Sequence, residues 1–234
     1  MNASGKQALV LLPGLLCNAR LFSDQAAALA DLARCWVPSL VSDSLGGMAA
    51  TVLGEAPDRF ALAGLSMGGY VAQEIMRRAP ERVTRLALIS TTARADSPEQ
   101  AAIRHDYMAM ATTGRFTPVT ERLLPRLLSP GRRADRNLIR VVTDMAFSIG
   151  SEVFVRQQTA IVNRPDGLED LRRIRVPTAV ICGADDEGTP PDRHREMADR
   201  IPGAVLTVIP DCGHLATLER PDEVSRTLRA WLTA

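Results

Sequence analysis

A serine with glycines two positions on either side, Gly64-Leu65-Ser66-Met67-Gly68, stands between the apolar run Phe60-Ala61-Leu62-Ala63 and a helical pattern. A serine hydroxyl is a weak nucleophile at neutral pH, so it needs exposure and a neighbouring base. On a sharp strand-to-helix turn, the two glycines let strand and helix approach closely. The hydroxyl then stands clear at the sheet edge, and the next amide, that of Met67, points to where an oxyanion would form. This reads as a nucleophile elbow. Phosphate binding is the rival for a glycine-rich turn, but no Walker lysine follows and the spacing is not GxGxxG.

Three histidines compete for the role of base. His105 lies beside Asp106 in a helical stretch, and His194 lies in the charged run Asp192-Arg193-His194-Arg195-Glu196, so both read as solvated helix faces. His214 follows a strand in the loop Pro210-Asp211-Cys212-Gly213-His214, which brings it to the same sheet edge as Ser66. A carboxylate must then fix its tautomer and stabilise the imidazolium. The end of the apolar run 83–89 offers only Ser90-Thr91-Thr92. The loop after residues 178–182 offers Asp185-Asp186-Glu187, so the acid belongs to that group.

These residues need a frame of strand ends. Ala8-Leu9-Val10-Leu11-Leu12 is an unbroken apolar run stopped by Pro13-Gly14, the pattern of a strand buried on both faces. Further strands are expected at 35–37, 60–63, 83–89, 178–182 and 204–209. Helices are expected at 20–33, 45–56, 67–79, 191–200 and 221–233, the last with Pro221 in its first turn. Such alternation implies βαβ units and a mainly parallel sheet, with any site at the strand C-termini. Between 93 and 176 the pattern turns helical, with stretches near 97–112, 117–128, 133–148 and 151–162. About 80 residues is too long for a loop, so an inserted helical unit, a lid, is expected there. The chain thus divides into core residues 1–92, an insertion 93–176 and core residues 177–234.

Composition narrows the partners. Of 234 residues, 46% are hydrophobic and 24% charged, enough for a core without disulfides or metal. Lys and Arg total 28 against 27 Asp and Glu, which lacks the basic excess of a nucleic-acid binder. No apolar stretch reaches membrane-span length, and the run at 8–12 is too short for a signal peptide. Cys17, Cys35, Cys182 and Cys212 form no CxxC pair, and Cys212-Gly213-His214 lacks further ligands at zinc spacing. Buried free thiols in a cytoplasmic protein, with no metal, are expected.

Taken together, Gly64-Leu65-Ser66-Met67-Gly68-Gly69, Gly183-Ala184-Asp185-Asp186 with Thr189-Pro190, and Gly213-His214 with Leu218-Glu219-Arg220-Pro221 resemble the α/β-hydrolase superfamily. The likeness covers nearly the whole chain and is greatest to small bacterial esterases and lactonases such as 3-oxoadipate enol-lactonase. It implies an α/β-hydrolase fold with a sheet of about six strands, since the chain starts at what is the family's third strand. It selects Asp186 over Asp185 as the acid, giving a triad Ser66, Asp186, His214. It also implies that the backbone amide of Leu15 joins that of Met67 in an oxyanion hole, although Pro13 replaces the family's usual histidine before Gly14. The implied activity is that of a carboxylesterase or lactonase acting on a small molecule through an acyl-enzyme, without cofactor. C–C hydrolase, thioesterase, acyltransferase, perhydrolase and a non-catalytic small-ligand receptor share the constellation. In the lid, Met108, Met110, Phe116, Leu123, Leu124, Leu127, Met145, Phe147 and Phe154 are the candidates to line a pocket. Arg104, His105 and Arg164 are the candidates to meet a substrate carboxylate.

Overall fold

The computed structural model describes residues 6–234, apart from the side chains at 124 and 125, so the expectation for Leu124 falls outside it. The apolar runs form β1 (Gln7–Leu12), β2 (Ala33–Trp36), β3 (Phe60–Leu65), β4 (Val83–Ile89), β5 (Thr178–Gly183) and β6 (Val205–Ile209). They make one parallel sheet in the order β2-β1-β3-β4-β5-β6. The register sets Leu12 opposite Gly64, Leu65 opposite Ile89 and Gly183 opposite Ile209. The loops that leave these strands therefore open at a single edge.

Alternate side chains of each strand enter opposite layers, as the two-residue period of a strand demands. Leu9, Leu11, Ala61, Ala63, Ala87 and Ile181 pack on one face, against α9 (Pro221–Thr233) and the segment holding α1 (Ser23–Ala28). Val10, Leu12, Leu62, Leu86, Leu88 and Val180 pack on the other, against α2 (Leu45–Glu55), α3 (Met67–Arg78) and α7 (Pro191–Arg200). Of these, α1 departs most from expectation. Residues 19–22 form a 3-10 turn, Leu29 leaves helical geometry, and its carbonyl accepts the amides of both Leu32 and Ala33 as the chain turns into β2.

The inserted unit comprises α4 (Pro98–Thr112), α5 (Phe116–Leu127) and α6 (Arg136–Val162). Ser97 and Gln100 form a reciprocal capping box at the start of α4. The stretches expected at 133–148 and 151–162 run on as α6, kinked where Gly150 takes φ 81° and ψ 168°. Its small core is Leu16, Ala111, Val119, Ala146 and Phe154, with Phe116 packed against Phe154. After α7 and β6, a single turn α8 (Ala216–Glu219) leads into α9.

Candidate active site

Ser66 sits between β3 and α3 with φ 55° and ψ −115°, a strained conformation for a residue with a side chain. Close packing imposes it. A Cβ on Gly64 would overlap the Gly68 carbonyl, and one on Gly68 would overlap the Leu12 carbonyl of β1. Only glycines let the turn fold back this tightly.

His214 lies in the loop after β6, where its amide and that of Leu215 both donate to the Leu127 carbonyl. Buried Glu219 closes this loop by accepting the amides of Gly213 (3.1 Å) and Ser129 (2.9 Å). The imidazole Nε2 is 2.9 Å from Ser66 Oγ, and Nδ1 is 2.9 Å from each oxygen of Asp186. Asp186 is buried after β5 and accepts the amides of Gly188 (2.9 Å) and Thr189 (2.8 Å) and the Thr189 hydroxyl (2.8 Å). Asp185 and Glu187 are not in this cluster, and Glu187 instead pairs with Arg133 at 2.6 Å. With Nδ1–H donating to the carboxylate, Nε2 is left to accept the serine hydroxyl proton.

Charge in this buried pair is mutually sustained. Burial disfavours an ionised Asp186, but His214 and the donors around the carboxylate outweigh it and hold its pKa below the usual range. Burial likewise disfavours the imidazolium of His214, but the Asp186 carboxylate outweighs it and raises the pKa. Burial pushes the Cys17 and Cys182 thiols up to about 12, away from thiolate chemistry. Cys35 is only half-buried, against expectation.

Gly14, Leu15, Leu16, Ser66 and His214 face a common cavity of about 220 Å³. Gly14 lies against the elbow, since a Cβ there would come to 3.5 Å from Ser66 Cβ. Met67 opens α3, where a first-turn amide has no intrahelical acceptor. Among the described residues the Leu15 amide donates to no backbone acceptor either. Leu15 lines the cavity beside the hydroxyl, whereas Met67 is fully buried and does not line it.

The insert closes the opposite wall with Ile103, Arg104, Tyr107, Leu123, Arg126, Leu127, Val142 and Gln158. Of the apolar lid candidates, Leu123 and Leu127 line the cavity. Phe154 and Met145 are core, and Phe147 is 48% exposed. Arg104 also lines it, its Nε donating to Asp96 (2.6 Å) and its Nη1 to Gln158 Oε1 (2.9 Å). Arg164 lies outside the lining, its guanidinium bonded to Asp96 at 2.7 Å, to the Arg94 carbonyl and to the Ile161 carbonyl. His105 is exposed and does not line the cavity. No group of His, Cys, Asp and Glu among the described residues is placed to hold a metal. None of their helices is long and apolar enough to cross a membrane.

The sequence reading missed His194. It is fully buried, not a solvated face: Nε2 accepts the Thr91 amide (2.9 Å), and Nδ1 is 3.3 Å from the Pro190 carbonyl. Burial pushes its pKa down to about 4, so it stays neutral and ties the acid loop to the segment after β4. Its four charged sequence neighbours hid this, although Met197, one turn further along α7, is buried with it.

Comparison with known proteins places the fold in a family. The sequence profile of the alpha/beta hydrolase family matches residues 9–227. A Mycobacterium tuberculosis (strain CDC 1551 / Oshkosh) protein carrying the name non-heme bromoperoxidase BpoC is 34% identical over 178 residues, 74% of this chain and 67% of that protein. Among solved structures, a thermophilic esterase from Thermogutta terrifontis, with malate bound, superposes with TM-score 0.88 at 29% identity, over 98% of this chain and 90% of that one. The enol-lactonase from Burkholderia xenovorans LB400 superposes with TM-score 0.90 at 25% identity, over 100% and 94%.

Proposed function

The chain belongs to the alpha/beta hydrolase family, and on that premise we propose that it is a serine hydrolase of small carboxylic esters or lactones. The carrying observation is the unbroken relay from Ser66 Oγ through His214 to Asp186, each link 2.9 Å long. Ser66 Oγ attacks the carbonyl carbon while its proton passes to His214 Nε2. The amides of Leu15 and Met67 hold the oxyanion, commonly the largest single catalytic contribution. The tetrahedral centre collapses, and the C–O bond to the alcohol breaks as His214 returns the proton to the leaving oxygen. Water then attacks the acyl-enzyme by the same relay, releasing the acid and free Ser66. Asp186 stays ionised throughout, and the helical insert serves as a lid whose wall sizes the substrate.

Within that class, a carboxylate-bearing substrate is favoured by Arg126 and by Arg104 in the cavity wall, the latter sharing its charge with Asp96. Glu187, the acid beside them, is already paired with Arg133. The malate bound to the Thermogutta terrifontis esterase, a dicarboxylate, points the same way.

Hydrolysis of p-nitrophenyl esters from acetate to decanoate by wild type and Ser66→Ala tests the reading. Turnover by the wild type should fall at least about 10⁴-fold in the variant. A wild type without turnover, or a variant that keeps it, would end the esterase assignment.

A further inference from the structure

We infer that Gln157, on the helical insert, is a positioning residue for the oxyanion loop, holding the backbone at Leu16 so that the Leu15 amide stays aimed above Ser66. The inference rests on the oxyanion role proposed for Leu15.

The loop after β1 closes as a four-residue turn in which the Cys17 amide donates to the Gly14 carbonyl at 3.1 Å. Leu16, third in that turn, has φ 60°. A positive φ at this position ordinarily calls for glycine or asparagine, and a leucine adopts it only under constraint. Rotating the peptide between Leu15 and Leu16 would relieve the strain, at the cost of redirecting the loop that carries the Leu15 amide.

Gln157 opposes that rotation. Its side chain is 1% exposed. Its Oε1 accepts the Leu16 amide at 3.0 Å, and its Nε2 donates to the Leu40 carbonyl at 2.8 Å. Both ends of one buried amide are therefore spent on the backbones of two loops, those following β1 and β2. The half of α6 beyond Gly150 is itself held by buried Phe154, Ala160 and Ile161, so the clamp stands on a fixed base. Gln157 does not line the cavity, so it acts through the loop and not on substrate. The insert thereby contributes to the reacting centre from behind, separately from the wall it offers the substrate.

The test measures kcat and KM for p-nitrophenyl butyrate with wild type, Ser66→Ala, Gln157→Leu, Leu16→Gly and the Leu16→Gly/Gln157→Leu double variant, with thermal melts of each. Gln157→Leu should lower kcat about 10- to 100-fold, the scale of a misaimed oxyanion donor, with KM within about twofold. Glycine accepts positive φ without strain, so the double variant should recover at least about threefold in kcat over Gln157→Leu alone. A purely structural glutamine predicts no such recovery. If Gln157→Leu does not fold, Gln157→Asn, too short to reach Leu16, takes its place. A kcat within twofold of wild type, or additive losses in the double variant, would overturn the inference and leave the hydrolase reading intact. A wild type without Ser66-dependent hydrolysis would take both down.

Discussion

The strand-end edge of the sheet and the helical insert are built to different tolerances. At the edge, a Cβ on Gly64, Gly68, Gly183 or Gly213 would overlap neighbouring backbone. In the insert, Gly114, Gly131 and Gly150 have nothing within 4 Å of such an atom. Among the described residues, the four other than glycine with positive φ are Leu16, Ser66, Ser90 and Asp211, each in the segment just past a strand end. Within α4 only Ala111 is buried, and Ile103 and Phe147 are large apolar side chains left exposed. Strain persists only where the surroundings over-determine it. The edge thus fixes the reacting atoms, and the insert supplies a wall that can change without disturbing them. The exceptions are insert residues that serve the tight region: Gln157 behind the loop after β1, Leu127, whose carbonyl accepts the His214 and Leu215 amides, and Ser129, bonded to Glu219.

The largest effect that would sharpen this contrast is electrostatic. Asp186→Asn keeps the shape of the edge but removes the anion that sustains His214, and should cost about 10⁴-fold in kcat. Its pH profile carries the sign. Wild-type His214 is raised above its ordinary 6.5, so the rise of kcat/KM with pH should have its midpoint above 6.5. Without the carboxylate, burial and Arg104 disfavour the imidazolium with only Glu219 left to support it, and the midpoint should move to lower pH. The stability of the wild type follows the same shifts. The share due to the raised His214 is complete below 6.5 and lost as pH rises through the folded value. The share due to the depressed Asp186 is present above 3.8 and lost as pH falls through its folded value. Melts of the Asn variant should therefore lose less stability than wild type on acidification below about pH 4. An unshifted kinetic midpoint would contradict the assigned coupling.

Backbone clearance gives the next effect. Gly68→Ala drives a methyl group into the Leu12 carbonyl at the junction of β1 and α3, where neither backbone is free to move. It should destabilise the protein by more than about 3 kcal/mol or leave it unfolded. Gly131→Ala meets open space and should stay within about 0.5 kcal/mol of wild type in urea denaturation. Equal costs at the two positions would erase the distinction between the regions.

What the sequence disclosed follows the same division. The elbow glycines, Gly213 and the strand-ending Gly183 are legible because the turns they occupy admit almost no other residue. The sheet was legible because strands buried on both faces read as unbroken apolar runs. The clamp on Leu16 was not. It joins residues 141 apart in sequence, and a leucine does not announce a positive φ. Nor was the lining of the wall. Periodicity marks Phe116, Leu123 and Phe154 alike as apolar, but only packing of α4, α5 and α6 on one another decides that Leu123 meets the cavity and Phe154 does not. The expected helix over 20–33 overran for a similar reason. Gln25 is fully buried, and its side chain donates to the Thr217 carbonyl at 3.1 Å, a tertiary contact that local propensity does not report.

The smallest effect expected is in the wall itself. Leu123→Ala on α5 removes apolar surface from the cavity, at a distance from the relay and from Gln157. A pocket contact of a few methylenes discriminates between chain lengths by about 1–3 kcal/mol at most. The variant should therefore shift the preferred acyl chain by one or two carbons, changing the ratio of kcat/KM for octanoate over butyrate up to about tenfold. The kcat for acetate, too short to need the wall, should change less than twofold. Parallel loss on every ester would mean that this wall holds the reacting atoms after all, and the separation of a rigid edge from an adjustable insert would fail at Leu123.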